Sequence, residues 1–145
     1  YDLLSEAVED FRQRYLERFA SEVDQALGAL LESDDRKIRV TDEFAFRVQE
    51  NGGDWKPLNH FSQGTVDAAF FAIRLVLTKQ LFQGWQLPLF LDDPLVNFDS
   101  KRLVNTLQYL ENLTAGHQVI LFSHDQRLLN LIDRAKWNVI EIQNG

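Results

Sequence analysis

Cysteine is absent from this sequence, and so is methionine. Without cysteine there is no disulfide framework and no thiolate metal site. The three histidines, His60, His117 and His124, are too few and too scattered for a histidine zinc cluster. No apolar run approaches the roughly 20 residues that span a bilayer. The acidic opening YDLLSEAVEDF does not read as a signal peptide. Basic charge is scarce: 15 Lys and Arg against 22 Asp and Glu leave a net charge of −7. A mainly basic surface is therefore excluded; a local basic patch is not, but the totals do not argue for nucleic-acid contact. No Gly-Lys pair occurs, so the phosphate loop G-x-x-x-x-G-K-S/T is missing. A chain that neither begins with methionine nor contains one reads as processed, trimmed or excerpted. What it does have is core material. Its 145 residues are 45% hydrophobic and include eleven phenylalanines and three tryptophans, enough for one domain with a real core.

Apolar spacing sets the element order. Leu4, Val8, Phe11, Tyr15, Phe19, Val23, Leu27 and Leu30 recur at three and four, which predicts one long helix over residues 2–31. Its second half is expected to pack on the core, and its first half either packs too or leaves the globule as an arm. After the polar break ESDDRK, alternation through Ile38, Val40, Phe44, Phe46 and Val48 predicts two strands, or one bent at residues 41–43. The turn NGGDW and a loop through Pro57 to His60 follow. Residues 61–82 predict a helix nearly surrounded by core, with Val66, Ala69, Phe70, Ile73, Val76, Leu77 and Leu81 on its main face. LPLFLDD reads as a central strand of a parallel sheet, with Pro88 at its entry. Asp99 can cap a helix from Ser100 to Leu113. QVILF reads as a second buried strand, Asp125 as the start of a short helix through Arg134, and WNVIEI as a last strand. This is half of an α/β domain with a largely parallel sheet.

Charge placement is the puzzle. In a parallel sheet, ligands sit beyond the carboxyl ends of the strands. Asp92–Asp93 and Ser123–His124 both stand at such ends. An aspartate closing an apolar strand is a usual way to hold magnesium beside nucleotide phosphates. Asp92 would serve the metal, Asp93 would orient or deprotonate a water, and His124 would donate to a phosphate oxygen. The plain alternatives are a capping or turn pair for the two aspartates and a cap or core-edge histidine for His124. FSQGT, residues 61–65, pairs a hydroxyl at Ser62 with Gly64 just before a long helix, whose free N–H groups favour an anion. Equally, Ser62 or Thr65 is a simple N-cap and Gly64 a turn.

Taken in order, FSQGT…FFAIRLVL, LPLFLDDPLVNFD and ILFSHD resemble the C-terminal lobe of the ABC-type ATPase heads of the SMC, Rad50 and SbcC group. Within that group the pattern looks most like the bacterial SbcC-like and YhaN-like AAA-domain proteins. The resemblance covers residues 38–142, and the preceding helix, 1–31, matches the returning base of a coiled-coil arm; residues 32–145 would then be the lobe. It implies that Phe61, Ser62, Gln63, Gly64 and Thr65 form the signature motif that closes over ATP held by a second head. Leu87 to Asp92 would be the Walker B strand, with Asp92 acting through Mg2+. Asp93 stands where the family has its catalytic glutamate, Asn97, Phe98 and Asp99 would form the D-loop, and His124 would be the switch histidine. The phosphate loop of such proteins lies in an N-terminal lobe beyond a coiled coil, which accounts for its absence here. Two departures stand out: the signature begins with Phe61 where leucine is common, and Asp93 is one methylene shorter than glutamate.

The function so implied is half of a Mg-dependent ATPase head, inactive alone. It would dimerise around ATP and drive a coiled-coil machine in DNA repair or chromosome maintenance. The partners implied are the N-terminal lobe, a second head, a nuclease subunit, and DNA through a site not visible in this chain. The location implied is the cytoplasm, on the nucleoid in a bacterium. Two other functions remain open: an ATP-gated clamp that has lost turnover, and a toprim-like or phosphotransfer domain in which Asp92, Asp93 and Asp99 form a metal cluster.

Overall fold

The computed structural model of the chain describes residues 2–31, 35–41, 45–82, 85 and 87–142. Its contacts divide it into two units, Tyr1–Trp85 and Gln86–Gly145.

The first unit opens with α1, Asp2–Leu31. The apolar stripe along it changes character part-way. Leu4, Val8, Phe11 and Tyr15 are exposed, whereas Phe19, Val23, Leu27 and Leu30 are buried. Tyr15 stacks on Phe19, ring planes 5° apart, where the stripe enters the core. The same periodicity therefore serves a packed half and an unpacked half. Strands β1 (Arg36–Val40) and β2 (Phe46–Glu50) pair antiparallel with Ile38 opposite Val48, both buried. The expected bend near residues 41–43, and Phe44, fall largely outside the described residues. The turn after β2 is made by Asn51 and Gly52, both with positive φ, conformations that Asn and Gly tolerate. It leads into a two-residue strand, β3 (Lys56–Pro57), and a 3-10 turn at Leu58–His60, where a plain loop is expected from the sequence. Pro57 sits at the sheet edge, where its missing N–H costs nothing.

Helix α2, Gln63–Leu81, packs against α1. It buries Ala68, Ala69, Phe71, Ala72, Leu75 and Val76. Phe70, Leu77 and Leu81, expected in the core, are exposed. The apolar girdle of α2 is wider than the cover its own unit gives it: α1 packs on it, and Phe70, Leu77 and Leu81 stay exposed.

The second unit holds β4 (Leu89–Asp92) and β5 (Val119–Phe122), paired parallel with Leu91 opposite Leu121. Helix α3, Ser100–Leu113, connects them, and α4, Gln126–Leu131, follows. Asp99 caps α3 by accepting from the Arg102 backbone N–H at 2.9 Å. Leu91, Leu95, Phe98, Leu103, Leu107, Leu110 and Leu128 form the buried core of this unit. Each fully buried Leu or Phe contributes about 1.5–3 kcal/mol relative to exposure.

Three expectations fail here. The strand β4 is not central and fully buried, because Phe90 is 62% exposed and one face of the two-stranded sheet is open. WNVIEI is not a strand: Ile140 and Ile142 are exposed, and the segment has no partner strand among the described residues. Alternation alone does not make a strand without a ladder to join. Its start is fixed by Glu111, which accepts from Trp137 Nε1 at 3.0 Å and Lys136 Nζ at 2.7 Å. Finally, α4 stops at Leu131, and a turn closed by Lys136 N–H to Asp133 C=O replaces its last residues. No helix among the described residues is long and apolar enough to cross a membrane. The α/β class with a parallel strand pair holds.

Candidate functional site

Two parallel strands that end level deliver their last residues to one place. Asp92 pairs in register with Phe122, so Asp93 and Ser123 both leave the sheet at the same edge. The ladder extends one step further: Asp93 N–H donates to Phe122 C=O at 2.9 Å. Asp93 then turns sharply, with φ +44°, in the left-handed region. Asp and Asn reach that region more readily than other non-Gly residues. The turn aims the carboxylate back across the strand ends. Ser123 Oγ donates to its Oδ1 at 2.8 Å, and His124 Nδ1 meets its Oδ2 at 2.5 Å. The carboxylate is 25% exposed and the imidazole 83% exposed. Asp93 thus fixes the His124 ring through one nitrogen and leaves the other facing solvent. In the imidazolium form both nitrogens donate, one to Asp93 and one to an incoming acceptor.

Asp92 lies beside this cluster, at the end of β4, with an exposed side chain. An exposed carboxylate at a strand end fits a hard divalent cation, bound directly or through water. Asn97 is exposed, Phe98 buried, and Asp99 caps α3. Among the described residues no group of three or more His, Asp or Glu side chains gathers to hold a metal. Asp92, Asp93 and Asp99 therefore do not form the cluster that direct metal-dependent phosphate chemistry requires.

The residues Phe61 to Thr65 belong to the first unit. Ser62 is the N-cap of α2 by backbone, its carbonyl accepting from Thr65 N–H at 2.9 Å and Val66 N–H at 3.0 Å. Its hydroxyl makes no capping bond to the backbone but lies 3.0 Å from Thr65 Oγ1. Gln63 Nε2 donates to Asp67 Oδ1 at 2.7 Å. Gly64 and Thr65 are buried in the first turn, so Gly64 belongs to the helix rather than to a loop. Ser62 and Gln63 are exposed at the front of the helix.

One residue escaped the reading of the sequence. Arg127 chelates Asp125 through Nε and Nη2, at 2.6 to 3.0 Å, and donates from Nη1 to the Phe98 carbonyl at 3.0 Å. The guanidinium holds the Asp125 carboxyl below its ordinary value. The signal for it was modest: an Asp opening a short helix, with an Arg two residues on.

No protein-family model and no curated protein matches the chain. Solved structures do. A structure concerned with ATP-driven dimerization and DNA-stimulated activation of SMC ATPases aligns with TM-score 0.68 at 15% identity, covering 86% of this chain and 78% of that one. The Smc head domain with an extended coiled coil, bound to the C-terminal domain of ScpA and derived from Pyrococcus furiosus, aligns with TM-score 0.62 at 15% identity, over 83% and 31%. The SMC head domain from Thermotoga maritima aligns with TM-score 0.59 at 14% identity, over 81% and 41%. The fold is similar to that of SMC head domains. This chain spans most of the first of these structures and less than half of the other two. An SMC-type head is a P-loop NTPase fold, and the phosphate loop that gives that class its name is missing from this sequence.

Proposed function

We propose that this chain is the C-terminal half of a Mg-dependent ATPase head, one that dimerises around ATP and drives a coiled-coil machine in DNA repair or chromosome maintenance. The observation that carries the reading is the Asp93 cluster: a carboxylate on a left-handed turn at a parallel strand end, gripping Ser123 and His124 from the next strand. In this reading Asp93 orients and deprotonates the attacking water. His124 donates to the γ-phosphate from its free nitrogen. Asp92 holds Mg2+, whose charge offsets that of the phosphates. Phe61 to Thr65 close over the ATP of a second head, with Ser62 and Gly64 nearest its γ-phosphate. Asn97 and Asp99 meet that second head.

The missing phosphate loop, the open sheet face at Phe90 and Phe122, and the exposed Phe70, Leu77 and Leu81 of α2 support an N-terminal lobe as the first partner. The exposed stripe of Leu4, Val8, Phe11 and Tyr15 supports α1 as the base of a coiled-coil arm. The motif order favours an SbcC-like or YhaN-like protein, with a nuclease subunit, DNA as the substrate of the whole assembly, and a place in the cytoplasm.

A second reading rests on the short side chain of Asp93. One methylene less draws the carboxylate back from the water, which favours slow turnover or an ATP-gated clamp with none. One measurement separates these: magnesium-dependent ATP turnover by the chain alone and mixed with a matching N-terminal lobe. Turnover in the mixture only supports the split head. Nucleotide-driven dimerisation without turnover supports the clamp. No nucleotide response in any mixture rejects both.

A further inference from the structure

We propose that Arg127 is a positioning residue, a latch that ties the Asn97–Asp99 loop to the Asp93–His124 cluster and passes a change at the carboxylate to that loop. The inference rests on the head reading for its functional consequence, and on geometry alone for the latch.

The bonds run in one direction. Ser123 Oγ donates to Asp93 Oδ1 and accepts from Asp125 N–H at 3.2 Å. A hydroxyl has one proton to give, so its place between these two groups is set by Asp93. Asp125, half-buried, then grips Arg127 through both carboxylate oxygens, Oδ1 taking Nε and Oδ2 taking Nε and Nη2. The remaining arm of the guanidinium reaches the Phe98 carbonyl, 29 residues away in sequence. That carbonyl is no random acceptor. The Phe98 side chain is buried, and the next residue, Asp99, caps α3. Arg127 therefore clamps the loop where it enters α3 onto the loop where the chain enters α4. Charge-assisted and forked bonds of this kind hold geometry better than a point charge does. Lysine can pair with Asp125 but cannot span both acceptors with a planar fork. When Asp93 turns to a water or nucleotide, Ser123 loses its acceptor, and the strain travels through Asp125 and Arg127 to the residues meant to meet a second head.

Amide hydrogen exchange on the chain as it stands tests the latch. Arg127→Ala is expected to speed exchange across residues 95–99 roughly tenfold, the loss of one charge-assisted anchor. Arg127→Lys should do nearly the same while keeping the charge. Amides at Leu107 and Leu110 should not change in either variant. Parent-like exchange across 95–99 in Arg127→Ala overturns the latch. The consequence is read in the head assembled with its N-terminal lobe. There Arg127→Ala is expected to lower kcat roughly tenfold with an unchanged KM for ATP, and to add little in a Ser123→Ala background. Full kcat despite a loosened loop, or additive losses, overturns the coupling. Should the parent assembly neither dimerise nor turn over, the head reading fails, while the exchange result still decides the latch.

Discussion

Asp93 carries two demands that different residue types would meet separately. Its backbone is left-handed, and its carboxylate holds two donors. Asparagine meets the first demand and fails the second. In the proposed head, Asp93→Asn should fold as the parent does and keep nucleotide-driven dimerisation. Its turnover should fall roughly 100-fold or more, the cost of one well-placed transition-state group. Asp93→Glu adds the methylene that the proposed catalytic role favours, but the left-handed backbone costs a longer side chain about 1–2 kcal/mol. A lowered melting temperature for Glu and not for Asn would show that the backbone selects the shorter acid. Asp24 makes the opposite bargain. Burial pushes its carboxyl above its ordinary value, against the Ile38 backbone N–H that it accepts and the nearby Lys37. A raised folded value means that Asp24 favours folding below its unfolded pKa, and that this contribution is lost as pH rises through the folded value. Asp24→Asn keeps an acceptor and removes the charge. Its urea stability should match or exceed the parent at neutral pH, and the gap should close as the pH falls into the carboxylate range. Asp24→Ala strands the Ile38 N–H and should cost about 1–3 kcal/mol.

At the scale of elements, periodicity and caps were legible in the sequence, and cover was not. Asp99 and Asp125 could be named as caps because a carboxylate at a helix start has few other uses, and both accept a backbone N–H there. The site residues after β4 and β5 could be placed because parallel strands end together. The exposed Phe90, Phe70 and Leu81 could not be foreseen, since an apolar position says only that it needs cover, not that this stretch of chain supplies it. WNVIEI fails for the same reason: its alternation asks for a ladder that the described residues do not provide. Arg127 was missed because its key acceptor is a backbone carbonyl, which no side-chain pattern reveals. The antiparallel pair β1–β2 holds a further device invisible to pattern. Its register sets Arg39 directly opposite Arg47, both exposed, on the face opposite the buried Ile38 and Val48. Like charges across a ladder destabilise it, and opposite charges add about 0.2–1 kcal/mol. Arg47→Glu should therefore raise the urea midpoint by a matching amount at low salt, with most of the gain lost in high salt. A lower midpoint at low salt would mean that the two guanidinium groups do not face each other in solution.

For the whole molecule, the open face of the second unit poses the largest question. Strand alternation and the β4–β5 register put Phe90, Asp92, Ile120 and Phe122 on one side of the sheet. Phe90 is 62% exposed and Phe122 46% exposed, and Asp92 is exposed between them and the Asp93 turn. An apolar face left uncovered adds no stability to the chain. A partner seated there would bury two aromatic anchors and, at the same stroke, enclose Asp92. That is the arrangement an N-terminal lobe needs if it brings ATP and Mg2+ to this carboxylate. Replacing both aromatics by threonine keeps strand propensity and removes the anchors. In the isolated chain Phe90→Thr and Phe122→Thr should each cost no more than about 1–1.5 kcal/mol, because each ring is only partly covered. In the mixture with the N-terminal lobe, each should weaken association by about 2 kcal/mol, and the pair by roughly 100-fold or more, as truncated aromatic hot spots do. Sedimentation of the mixture reads the second effect, and urea melts of the chain read the first. Strong losses in the chain alone would place both phenylalanines in its own core. Association unchanged by the double substitution would seat the lobe elsewhere and leave this face to a different partner.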